Sequence, residues 1–90
     1  MSTTIAEPKQ SATEARATRA WADRRTIYVE LRDGHTVSFP ASRFRILSQA
    51  TDEELTEVTV RAQGFALRWE NLDEDITVPG IVAGRFQLPV

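Results

Sequence analysis

From Thr26 onward the apolar residues fall at every second position. Ile27, Val29 and Leu31 share one face of an extended segment, while Tyr28, Glu30 and Arg32 share the other. Asp33-Gly34 interrupts the run, and then Val37 and Phe39 alternate with Thr36 and Ser38. This is a hairpin, and the alternation fixes its register. A two-residue Asp-Gly loop would set Leu31 opposite Thr36 and Val29 opposite Ser38, mixing apolar with polar on one face. A three-residue loop of Arg32, Asp33 and Gly34 instead pairs Leu31 with His35, Val29 with Val37 and Ile27 with Phe39. That loop is a type I turn closed by a glycine bulge.

A second hairpin follows the same logic. Val58, Val60 and Ala62 form one apolar row; Phe65, Leu67 and Trp69 form the other. Joining the rows pairs Ala62 with Phe65, Val60 with Leu67 and Val58 with Trp69, with Gln63-Gly64 as a two-residue turn. A four-residue loop keeps the same faces. Between the hairpins, Pro40 followed by Phe44 and Leu47 predicts a turn or two of helix. Thr51-Asp52-Glu53-Glu54 is a capping box and starts a short helix through about Thr56. Thr77-Val78-Pro79 caps one last turn carrying Ile81 and Val82, which Gly84 ends. Upstream, Ser11-Ala12-Thr13-Glu14 also fits a capping box, and local propensity favours helix from Ala12 to about Trp21. The expected class is α+β: a small antiparallel sheet of two hairpins with short helices on one face. Phe39, Phe44, Phe65, Trp69 and Phe86 are its expected aromatic core, with Trp69 as the hinge toward the segment that follows.

Composition narrows the picture. Residues 1–14 carry a single Ile among Ser, Thr, Ala, Glu and Lys and read as a mobile tail. Residues 15–90 form one small domain, which at this size buries only about two-thirds of its unfolded surface. Cysteine is absent, so disulfides and thiolate metal sites are excluded. Met1 to Pro8 lacks the pattern of a signal peptide, and no apolar run reaches the length of a membrane span. The expected compartment is the cytoplasm, with no membrane contact.

The net charge of -2 hides an asymmetry. Residues 1–50 hold eight basic and five acidic side chains, whereas residues 51–90 hold three and eight. The densest acidic stretch is Glu70, Asp73, Glu74 and Asp75, directly after Trp69. It is the candidate partner-binding site, facing a small basic protein together with the cluster from Asp52 to Glu57. The bland alternative is a pair of solvated turns, with Asp73 or Asp75 capping backbone after Trp69.

Other chemistry is thinly supplied. The one histidine, His35, sits beside the bulged turn with no nucleophile elbow in the chain. Consecutive carboxylates at Asp73, Glu74 and Asp75 point in different directions and lack calcium-loop spacing. Phosphate loops, Rossmann glycines and zinc motifs are missing. No catalytic residue, cofactor or metal site is expected, and the chain reads as a non-enzyme. Arg16, Arg19, Arg24 and Arg25, with Trp21 and Tyr28 nearby, are the ingredients of a nucleic-acid surface. A sequence pI near 5.3 and the lack of room for a helix-turn-helix weigh against direct contact. The alternative function is therefore a DNA-linked transcriptional regulatory domain using Arg16 to Arg25. Self-association is left open.

Leu31-Arg32-Asp33-Gly34, the run Val37 to Pro40, Trp69, Leu72-Asp73-Glu74-Asp75-Ile76, and Val78, Gly80, Ala83 and Gly84 can be read together. They resemble the bacterial family called domain of unknown function 2442, over Ala17 to Gly84. The resemblance implies a strand near Thr18 to Asp23, against the local helix propensity. It also implies a protein-binding module, antitoxin-like, whose partner is a candidate toxin encoded beside it. The chain departs from the family pattern at three places. Arg45-Ile46 replaces a usual Pro-Arg, Arg68 a usual His, and Glu70 a usual Pro, so no role is carried over to those positions.

Overall fold

The computed structural model describes residues 15–89; the expected tail at 1–14, with its capping box, lies outside them. Among the described residues the chain runs β1 (Ala17–Asp23), β2 (Thr26–Leu31), β3 (Thr36–Pro40), α1 (Arg45–Ser48), α2 (Asp52–Leu55), β4 (Thr59–Arg61), β5 (Ala66–Trp69), β6 (Glu74–Thr77) and α3 (Val78–Val82). The α+β class holds. The strands divide into two three-stranded antiparallel sheets, ordered β1-β2-β3 and β4-β5-β6.

The first hairpin has the register that alternation demands. Ile27 faces Phe39 and Val29 faces Val37. Gly34 N–H donates to the Leu31 carbonyl at 2.9 Å, and Leu31 N–H donates to the His35 carbonyl at 2.7 Å. Gly34 sits at φ +97°, the left-handed conformation that closes the bulge. Ahead of it, β1 is a strand where local propensity favours helix. Pairing with β2 wins because it sets Ala20 and Ala22 against the core and puts Trp21 opposite Tyr28. Tertiary contact overrides a weak local preference.

In the second hairpin Val60 faces Leu67, as the apolar rows require, but Arg61 faces Ala66. The loop is therefore the four-residue version, Ala62 to Phe65. This corrects two expected pairs. Ala62 and Phe65 are loop residues, and Val58 lies before β4 and is not part of its ladder. Phe65, expected in the core, is 39% exposed because it takes a helical turn conformation after Gly64 and leaves the strand face. Phe86 is half-buried, packed against Phe39 and Phe44.

The acidic segment is not all turn. Glu70–Leu72 forms one 3-10 turn, Asp73 adopts φ +53°, and Glu74 already begins β6. Ile76 faces Leu67 and Asp75 faces Arg68. The helices arise where expected. Phe44 and Leu47 are buried at α1. Thr51 and Glu54 exchange both capping-box hydrogen bonds at α2, and Thr77 Oγ1 accepts from Gly80 N–H at α3.

Trp69 lies at the centre of the core, fully buried, with Leu67, Leu55, Leu47 and Phe39 also sequestered. Its indole N–H donates to the Leu55 carbonyl at 3.0 Å. A buried donor without an acceptor would cost about 1 to 3 kcal/mol, so this bond fixes β5 against α2. Trp69 is an anchor and not a hinge. The two sheets meet where the Ala62 to Phe65 loop reaches β1. Arg32 Nη2 donates to the Gln63 carbonyl at 2.9 Å, and the Arg16 guanidinium lies over the Phe65 ring at 5.2 Å. Among the described residues no helix is long and apolar enough to cross a membrane.

Candidate functional site

Arg68 organises the acidic surface. It stands on the outer face of β5, between Thr59 on β4 and Asp75 on β6. Its Nε donates to Glu70 Oε1 at 2.7 Å, Nη2 to Asp73 Oδ1 at 2.8 Å and Nη1 to Asp75 Oδ2 at 2.7 Å. One planar fork thus satisfies three carboxylates, a geometry an ammonium could not offer. The place where these carboxylates converge is filled by the guanidinium. Neither Asp73 nor Asp75 caps the backbone after Trp69 in the described hydrogen bonds.

The arrangement is layered. The Arg68 side chain is 20% exposed, while Glu70, Asp73 and Asp75 are 69%, 90% and 63% exposed. The cation lies beneath and the carboxylates face outward, each bound to Arg68 through one oxygen. Hydrogen bonding to the three carboxylates raises the Arg68 pKa further, so it keeps its proton at any working pH. The bond from Arg68, with smaller help from Arg61 at 3.4 Å, holds the Glu70 carboxyl below its usual value. Glu74 points to the other side of β6, the face of Trp69. Desolvation there, then the charges of Asp75 and Asp73, push its carboxyl up.

The second acidic cluster serves the fold in part. Asp52, Glu53 and Glu54 occupy the first turn of α2, where the helix dipole favours carboxylates, and Glu54 closes the capping box. Asp52 also accepts from Arg25 at 3.1 Å.

The basic segment is largely spent within the molecule. Arg25 donates from Nη1 to the Ala50 carbonyl at 2.7 Å and from Nη2 to the Ser48 carbonyl at 3.3 Å, capping the exit of α1. Arg16 stacks on Phe65. Arg19 pairs with Glu30 and lies over the Trp21 ring at 4.5 Å, beside the stacked Trp21–Tyr28 pair. Arg24 is exposed at the β1–β2 turn, with Asp23 at 3.6 Å. Among the described residues no group of three His, Asp or Glu side chains is placed to hold a metal ion.

The family model described as "Protein of unknown function (DUF2442)" matches residues 17–87. The chain belongs to this family. A crystal structure of a protein of unknown function from Rhodospirillum rubrum ATCC 11170 is similar to it. The two share 40% sequence identity over 79% of this chain and 88% of that one, with a TM-score of 0.75. No curated protein matches the chain.

In this DUF2442 domain, three of the four candidate residues come together on one surface and the fourth does not. Glu70, Asp73 and Asp75 converge on Arg68, while Glu74 turns away. Arg68 is the residue that joins them, and the sequence pattern alone gives it no such place. Its signal was present, a cation at an outward position of β5. It became readable only once β6 placed Asp75 opposite, and β6 has a single core residue, Ile76, to announce it.

Proposed function

We propose that this chain is a non-enzymatic, antitoxin-like protein-interaction module that binds a small basic protein encoded beside it. The observation carrying this reading is the layered charge: one largely covered guanidinium beneath three outward carboxylates. Two cations, Arg61 and Arg68, and three carboxylates, Glu70, Asp73 and Asp75, leave this surface with a local charge of -1. Because Arg68 holds the carboxylates in place, a partner's arginine or lysine meets them with little side-chain freedom left to lose. Each carboxylate on Arg68 keeps a second oxygen for an incoming donor. Charge of this kind acts mainly on encounter rate and choice of partner. The arginine segment gives the DNA-linked alternative less support, since Arg16, Arg19 and Arg25 are engaged internally.

The test uses neutral isosteres, because reversing Asp73 or Asp75 to lysine would set a cation against Arg68. Asp73→Asn with Asp75→Asn removes two of the surface's three carboxylate charges and preserves its shape. Association with the co-purified product of the adjacent gene should slow by about tenfold at low salt, and the difference should shrink at high salt. Equal rates for the double variant and the parent would overturn the reading.

A further inference from the structure

The two sheets end in very different outer edges. At one end, β6 carries Glu74 and Asp75 directly after Asp73, so a second strand of the same sequence would meet like charge. At the other, β3 reads Thr36-Val37-Ser38-Phe39-Pro40, with no charge at all. Among the described residues nothing pairs with the outer side of β3. Natural proteins guard such edges with charge, proline or bulges; this one has no charge, and its one guard, Pro40, stands at its last position.

The hydrogen-bond phase of β3 can be deduced from its two ends. Leu31 N–H bonds the His35 carbonyl, and Ala41 N–H bonds the Arg25 carbonyl at 2.8 Å. Both belong to one alternating ladder, so residues 35, 37, 39 and 41 turn their backbone groups toward β2. Thr36, Ser38 and Pro40 turn theirs outward. Thr36 and Ser38 each present a donor and an acceptor; Pro40 presents an acceptor only.

We infer that β3 is a self-pairing edge, and that two copies of this chain join through antiparallel β3 strands with Ser38 on the two-fold axis. In that register Ser38 exchanges two hydrogen bonds with Ser38 of the second copy. Thr36 N–H meets the Pro40 carbonyl opposite, on both sides of the axis. The missing Pro40 donor leaves only the Thr36 carbonyl to water. On the core side, half-buried Val37 gains a cross-strand apolar neighbour, Phe39 of the second copy. The edge supplies its own complement, which a foreign strand would have to bring. The result is one six-stranded sheet, isologous about its centre, with the Trp21–Tyr28 stacks on a common face.

This pairing is independent of the acidic surface and is tested separately from it. The chain has no cysteine, so Ser38→Cys introduces a single thiol. Directly opposed residues of a hydrogen-bonded pair lie about 5.5 Å apart between Cα atoms, within disulfide reach. Under mild oxidation Ser38→Cys should crosslink about tenfold faster than Ser42→Cys, an exposed control beyond the strand. Sedimentation of the unmodified chain should show a dimer that Ser38→Lys converts to monomer, with its circular dichroism unchanged. A parent chain that stays monomeric at all concentrations overturns the inference. So does a dimer that survives Ser38→Lys, or a Ser38→Cys that crosslinks no faster than the control. Loss of partner association in Asp73→Asn/Asp75→Asn with the dimer retained would bear on the other surface alone.

Discussion

The two hairpins both close on a glycine at positive φ, yet the surroundings of those glycines have little in common. Gly34 stands at φ +97° with nothing within 4 Å of where a Cβ would sit. Gly64 stands at φ +93°, and its Cβ would lie 2.5 Å from the Ala17 carbonyl oxygen and 3.0 Å from the Ala17 nitrogen. The first tip projects into solvent. The second is wedged against β1 and joins the two sheets. A glycine in a turn can thus answer a local need of the backbone, or a local need and a close approach together. The same substitution at both sites separates the two.

The largest effect is expected at the wedge. Gly64→Ala must bear left-handed strain and push the β1 backbone away, for a loss of about 4 kcal/mol. Urea unfolding followed by the buried Trp69 would read it. Since β1 is the neighbour that must move, the variant should also weaken hydrogen-exchange protection of β1 before that of β2. Protection lost evenly through both sheets would break the proposed joint.

At the open tip the same alanine meets only the backbone term. Gly34→Ala should cost about 1 to 2 kcal/mol, and Gly34→Asn less, because asparagine tolerates the left-handed region better. A β-branched valine there should be the worst of the three. If Gly34→Ala and Gly64→Ala were equally costly, the wedge would contribute nothing and the comparison would fail. If Gly34→Val matched the parent, the bulge itself would be misassigned.

What the sequence reveals about these regions follows from how local their causes are. The bulge at Gly34 is legible because alternation on both sides admits one register. The caps at Thr51 and Thr77 are legible because donor and acceptor lie three residues apart. The wedge at Gly64 is not, since its reason, Ala17, lies far away in sequence and in another sheet. The exposure of Phe65 has the same origin, a loop length that alternation leaves open. Arg68 is the strongest case. Its carboxylates are near in sequence, so the acidic stretch was visible. That they converge on one guanidinium depends on a strand, β6, whose charged sequence resembles a turn. The β1 strand shows the reverse, where local propensity alone points to helix and the resemblance to a family corrects it.

The smallest expected effect distinguishes the tips by pH. At the open tip Asp33 accepts from His35 N–H at 2.9 Å through Oδ1, and its Oδ2 lies 2.9 Å from His35 Nδ1. The side-chain bond to His35, then the backbone bond, holds the Asp33 carboxyl below its usual value. A carboxyl depressed in the folded state stabilises the fold above its unfolded pKa, about 3.9 for aspartate. That contribution fades as pH falls below this value and is gone once the folded group is protonated as well. Asp33→Asn keeps the turn acceptor and removes the charge. It should therefore lower the urea midpoint at pH 7 and converge with the parent well below pH 3.9. Taking the difference between variant and parent cancels Glu74, whose raised pKa acts in the opposite sense. The second tip has no such group, because Gln63 occupies the corresponding place before its glycine, so Gln63→Ala should show the same offset at both pH values. An Asp33→Asn offset that persists undiminished in acid would mean that the bond to His35 does not depend on the carboxylate charge, and the tips would then differ only in the wedge.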